Sequence, residues 1–238
     1  VRYTKSIAAC SLLALALALV FMTGRATQAA AVKPRPLPSA VPSPEPPPIE
    51  SLLKPSQFSR IMEDREVITY ADLKDESGEW KHYQYHAAML VKGSLRATHE
   101  TLTDYALYSR IIPYIDKTEF DPRTRLLHVE GGIWKFRLAS VARFEERSPR
   151  WVHYEIVGGH FKGLQGDLFF ESRGEKGTLV YIGGAARGTQ WPPAFVVERG
   201  AEIVFAFTGR RMRSWVEDDS HKGSKDESQV PQPRSHLD

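Results

Sequence analysis

The chain has 238 residues, 42% of them hydrophobic, which is enough for one sizeable core and too little for several large domains. Residues 1–31 hold Arg2, Lys5 and Arg25 and no acid, so they account for the whole formal charge of +3 and for a pI near 8.9; the remainder is neutral and offers no electrostatic ground for a nucleic-acid partner. The one cysteine, Cys10, excludes an internal disulfide.

In chain order, residues 1–31 read as a signal peptide. A basic start is followed by the apolar run Ile7–Met22 and by small residues that fit cleavage after Ala29 or Ala31. The run is short for a hydrocarbon core of about 30 Å, so the expectation is an exported, periplasmic protein, anchored only where the signal stays uncleaved. Cys10 precedes the apolar run, the reverse of a lipid-attachment box. Residues 32–50 read as a proline-rich linker, since "KPRPLPSAVPSPEPPPIE" carries eight of the sixteen prolines and makes an extended spacer. Residues 51–80 form an N-terminal extension with one added strand at 65–73, followed by the turn cluster "KDESGEW".

From 81 to 217 the pattern predicts one domain. "KHYQYHAAMLV" (81–91) alternates as a strand. The period then changes: Leu95, Thr98, Leu102, Tyr105 and Ala106 fall at helical spacing, with Ser94 as N-cap and Pro113 as the stop. Short strands are expected near 115–121, 125–131, 133–146, 151–157, 161–172 and 178–186, separated by "DPR", "GG", "RSPR", "GG" and "SRGEKG". The ordered part closes with a long helix, "PPAFVVERGAEIVFAFTGRRMRSW" (192–215), apolar over more than half its circumference; residues 218–238 read as a disordered tail. The fold class is therefore α+β. A curved antiparallel sheet wraps around a long C-terminal helix, with a short helical pair after the first core strand.

This order, with "KGSLRATHETLTDYALYSRIIPYIDKTE" (Asp104, Tyr105 and Pro113 at its key points), "GLQGDLFFES" and "GEKGTLVYIGG", resembles the START-like superfamily over about residues 81–216. That group comprises helix-grip proteins such as START lipid-transfer domains, coenzyme Q-binding proteins and polyketide cyclases. The resemblance implies a cavity between sheet and helix that takes a hydrophobic small molecule such as a lipid, a quinone or a polyketide-like compound. Alternation selects the side chains that face it: Trp134, Phe136 and Leu138; Tyr154 and Ile156; Leu168 and Phe170; Val180 and Ile182; and, from the helix, Ile203, Val204 and Phe207.

Catalytic patterns are sparse. His82 and His86 stand at zinc-binding spacing for a helix, but in a strand their rings are about 13 Å apart, too far to share a metal. His99 lacks the second histidine of a zinc-protease helix, and no nucleophile elbow or phosphate loop occurs. No metal or cofactor is implied. The reading favoured is a binding or carrier protein rather than an enzyme. The alternative is a cyclase- or aromatase-type enzyme using Tyr154 or His86 as general acid or base. Arg210, Arg211 and Arg213 at the helix end suit the helix dipole, or a transient contact with a membrane surface. If the signal is cleaved, the exported protein begins near Ala30 or Val32, and its melting temperature does not change with reducing agent. N-terminal sequencing that finds intact Val1 in the membrane fraction refutes this.

Overall fold

The computed structural model describes residues 45–133, 136–189 and 194–226; the expected signal, residues 32–44 of the linker and tail residues 227–238 lie outside them. Among the described residues eight strands form a single antiparallel sheet: β1 (Ile68–Asp75), β2 (Lys81–Val91), β3 (Ile115–Asp121), β4 (Leu126–Ile133), β5 (Phe136–Ser148), β6 (Trp151–Gly159), β7 (Gln165–Ser172) and β8 (Thr178–Gly188). Their spatial order is β1-β2-β8-β7-β6-β5-β4-β3, an open sheet with two edges. The helices are α1 (Pro55–Asp64), α2 (Leu95–Thr103), α3 (Tyr108–Ile111) and α4 (Ala194–Asp226). The sheet wraps around α4, and α2 and α3 make the early helical pair, so the architecture is the expected α+β helix grip.

Local chemistry sets the boundaries. Ser94 caps α2 by accepting a hydrogen bond from the Ala97 backbone N–H at 3.2 Å. Asp104 ends it, and its carboxylate accepts from the Ala106 N–H at 3.2 Å to start the single 3-10 turn Tyr105–Leu107. In α1, Pro55 occupies the first turn and the Gln57 side chain accepts from the Lys54 N–H at 3.0 Å. Arg65, left-handed at φ 54°, closes α1, and β1 therefore starts at Ile68 and not at 65.

Four features differ from the sequence reading. Helix α1 was not among the expected elements, although Phe58, Ile61 and Met62 have helical spacing. The glycines at 131 and 132 lie inside β4 instead of separating two strands. A Cβ on Gly131 would come within 2.2 Å of the Tyr114 carbonyl oxygen, so glycine serves a close backbone approach there. Residues 160–164 turn before β7 begins, the Gly163 N–H reaching the Ile156 carbonyl at 2.8 Å. Helix α4 continues to Asp226, past the expected end of order at 217, because extending a helix already packed through Val216 costs far less than nucleating one.

The sheet is covered on two sides. Facing α4, Met89, Val91, Val152, Leu168, Phe170 and Val180 pack with Leu102 of α2 and Val216 of α4. On the back, Ile68, Ala88, Leu90, Phe169 and Leu179 pack with Ile49, Leu53 and Ile61 from the extension. Ile49 is fully buried and its N–H donates to Glu171 Oε2 at 2.9 Å, so the last residues of the proline-rich stretch belong to this back layer. Strand β1 is an edge, and α4 covers it: the Leu73 N–H donates to Glu198 Oε1 at 3.1 Å. Ile61→Ala should cost about 2–5 kcal/mol, the range for truncating a buried isoleucine. Urea unfolding measures it, and a loss below about 0.5 kcal/mol would show that the extension lies outside the cooperative unit.

Candidate functional site on the concave face

Helix α4 is held unevenly. Towards its C-terminal end Val216 is buried, Glu217 accepts hydrogen bonds from the Arg65 guanidinium and from the Lys92 N–H (2.9 Å), and the Arg213 guanidinium donates to the Arg65 carbonyl at 2.5 Å. At Gly209 the helix passes so close to the chain that a Cβ would lie 2.9 Å from Val67 Cγ1. The Thr208 and Tyr114 hydroxyls are hydrogen-bonded to each other. One turn earlier, Phe205 stacks on Tyr85 with ring centroids 4.7 Å apart, over the β1–β2 side of the sheet. Val204 and Phe207 are only half-buried, and Ile203 is 44% exposed.

Helix α4 packs mainly against β1 and β2 and reaches Tyr114, just before β3, through the Thr208 hydroxyl. On the β3–β6 half of the concave face, one end is closed by the helical segment after β2: the Tyr105 ring lies 4.3 Å from Phe144 and 4.8 Å from Phe120, above Leu127 and Ala142. Beyond it, the register puts Val129 beside Ser140 and Gly131 beside Leu138, on the face that carries Ala142 and Ile156. Val129, Leu138, Ser140 and Ile156 are all half-buried.

The residues selected by alternation divide accordingly. Leu168 pairs with Ile182 and Phe170 with Val180 across β7 and β8, so all four share the face towards α4. Leu168, Phe170 and Val180 are packed into the closed core, and Ile182 borders it. Tyr154 is buried one strand away, while Leu138 and Ile156, both half-buried, lie on the β3–β6 half. Phe136 lies in β5 opposite Ile133, with its side chain outside the description, and Trp134 falls outside the described residues. His86 belongs elsewhere. In β2, Tyr83 and Tyr85 point towards α4, so His86 points to the back of the sheet, where it stacks on Tyr70 and Tyr181. It cannot act as acid or base in a cavity under α4.

Residue reading passed over Tyr85, Tyr114 and Phe205. The signal for Tyr85 was present in "HYQYH", where Tyr83 and Tyr85 alternate with His82, Gln84 and His86. Tyr154 donates to the Gly183 carbonyl at 3.3 Å, which leaves the Tyr85 hydroxyl as donor in the short contact between the two phenols. Glycines make room for this pair. A Cβ at Gly166 would lie 2.6 Å from the Tyr154 Oη, and one at Gly184 would lie 2.9 and 3.0 Å from the Tyr154 and Tyr85 Oη atoms. Burial raises the pKa of Tyr83, Tyr85 and Tyr154, so these phenols stay protonated at neutral pH and none is a base. Among the described residues no group of three His, Cys, Asp or Glu side chains could hold a metal ion. Nor is any helix of the described residues long and apolar enough to cross a membrane.

No protein-family model matches the sequence, and no curated protein matches it. Among solved structures the chain is similar to a START superfamily protein from Mycobacterium smegmatis (14% identity, 57% of this chain and 97% of that one, TM-score 0.49). It is also similar to a STAR-related lipid transfer protein fragment from Xanthomonas axonopodis (14%, 61% and 98%, 0.47) and to the di-domain ARO/CYC StfQ from the steffimycin biosynthetic pathway (11%, 60% and 52%, 0.44). Identities this low carry no residue roles across. The helix-grip assignment rests on this chain's own strand order and on the place of α4.

The buried tyrosines set a pH dependence. In the unfolded chain each phenol ionises near its ordinary value of 10.0, whereas in the folded chain Tyr83, Tyr85, Tyr105, Tyr108 and Tyr154 hold their protons to higher pH. Their contribution to stability is therefore complete below pH 10 and falls as pH rises above it, by up to about 1.4 kcal/mol per pH unit for each group. Urea midpoints between about pH 8 and 11 should show this fall, with a shallower slope in Tyr154→Phe. A flat profile in the parent protein would contradict it.

Proposed function

We propose that the protein binds an apolar small molecule, of the lipid, quinone or polyketide-like class, in the groove between the concave face of the sheet and the N-terminal half of α4. One observation carries the reading: Leu138 and Ile156 of the sheet and Val204 and Phe207 of α4 stay half-buried, although Leu168, Phe170 and Val180 on the same face are sealed. Apolar surface left open beside a packed core, on a rigid concave frame, is what an apolar ligand covers. The nine strand side chains selected by alternation and the three added from the helix remain the candidate lining, with the three core residues as its floor.

A cyclase-type enzyme would need a proton donor or acceptor aimed into the same groove. Tyr154, the candidate on that face read from the sequence, has its proton committed to the Gly183 carbonyl, which favours binding over chemistry. The segment read as a signal supports work outside the cytoplasm, as a carrier in the periplasm. A membrane-surface contact during loading would fall to the exposed Arg210 and Arg211, since Arg213 is engaged with Arg65.

Thermal shift against fatty acids, quinones and sterols tests the reading. A member that binds should raise the melting temperature of the parent protein, and Phe207→Ala should lose stability that the same ligand restores, because a ligand for the folded state stabilises by mass action. No shift for either protein with any member ends the carrier reading.

A further inference from the structure

The back of the sheet carries a second concavity that the groove under α4 does not explain. The segment around Ser51–Gln57 and strands β1, β2 and β8 enclose a cleft of about 450 Å³, within the range of small-molecule sites. Its floor is aromatic. Tyr70 of β1 stacks on His86 of β2 (centroids 5.0 Å, planes 21° apart), and His86 on Tyr181 of β8 (5.8 Å, 22°). The row continues through Phe169 of β7 to Trp151 of β6.

The extension covers only part of this row. Ile49, Leu52, Leu53 and Phe58 pack with Phe169, Trp151 and Tyr181. Tyr70 and His86 are left facing the cleft. The register supplies the space: the residue opposite His86 on β8 is Gly183, followed by Gly184 and Ala185, so the sheet puts no bulk there. A Cβ on Gly183 would lie 2.5 Å from the Tyr181 hydroxyl, so any larger residue would displace that ring.

The polar groups are unevenly satisfied. His86 Nε2 is shielded from solvent and has no hydrogen-bond partner. A native structure seldom leaves a buried ring nitrogen without one. Burial and the neighbouring Lys54 favour the neutral imidazole. The Lys54 ammonium lines the same cleft and makes no ion pair among the described residues. Asp72, the carboxylate beside Tyr70, is already engaged by Lys74 at 2.9 Å and by the Tyr70 hydroxyl at 3.0 Å.

The geometry points to a binding site for a planar aryl carboxylate, its ring against the Tyr70–His86–Tyr181 row and its carboxylate on Lys54. The ring packs on the edges of the row, and the carboxylate meets a cation that makes no ion pair among the described residues. This site lies on the opposite face from the α4 groove and does not depend on it.

The probe is 2-naphthoate, titrated into the full chain by calorimetry while the His86 ring nitrogens are followed by NMR. Saturable binding that shifts the His86 resonances is expected. Lys54→Met, at an exposed position, should weaken it by roughly tenfold or more, the effect of losing one charge-assisted contact. His86→Ala, which breaks the aromatic row, should weaken it as well. The site is refuted by an absence of saturable binding, by binding that leaves the His86 resonances in place, or by affinity that survives Lys54→Met. Should His86→Ala fail to fold, Lys54→Met and the His86 resonances decide.

Discussion

Five consecutive side chains of β2, Ala87 to Val91, are buried, and a strand can hide consecutive residues only when both its faces are covered. On one face the cover is α2 and α4; on the other it is the segment from Ile49 to Met62. The N-terminal extension is thus half of what buries the centre of the sheet. The same requirement fixes α4 over β1 and β2, where it also shields the edge strand through Glu198. An eight-stranded sheet at about 4.8 Å per strand spans about 34 Å before it curls, whereas a helix is about 10 Å wide. One helix packed mainly on the β1–β2 side shares the concavity with the Tyr105 segment.

Within that concavity, small and large residues depend on each other. Gly166 and Gly184 carry no Cβ, which lets the Tyr85 and Tyr154 rings place their hydroxyls together over the backbone of β8. The phenols in turn occupy the hydrogen-bonding capacity of that spot, with Gly183 as the terminal acceptor. The arrangement reads as scaffold: the protons are spoken for and burial keeps them in place. On the reverse face, by contrast, His86 Nε2 is buried without a hydrogen-bond partner.

Much of the fold was legible because alternation and turn chemistry are local. The six strands after Pro113, the Ser94 cap and the closing helix follow from residues close together in the chain. Side-chain burial on the second face was legible too, in "AAMLV" and "LFF", where alternation gives way to continuous apolar runs, but it takes the short helix Pro55–Asp64 to supply the cover. Gly131 was misread as a turn because a glycine that admits a distant carbonyl looks the same in sequence as one that bends the chain. For the groove, alternation assigned Leu138, Ile156 and Ile182 to a face. It could not tell that Leu168 on that face would be sealed and Leu138 left open, since that difference is made by α4, which lies far along the chain.

The route of the chain onto the back layer also gives the domain a handle. Glu45 is held by Arg150 in the β5–β6 turn at 3.0 Å, and Ile49 is buried against the reverse of the sheet. The described chain therefore enters the domain from behind the sheet, beside that turn, and leaves the α4 side clear of this entry.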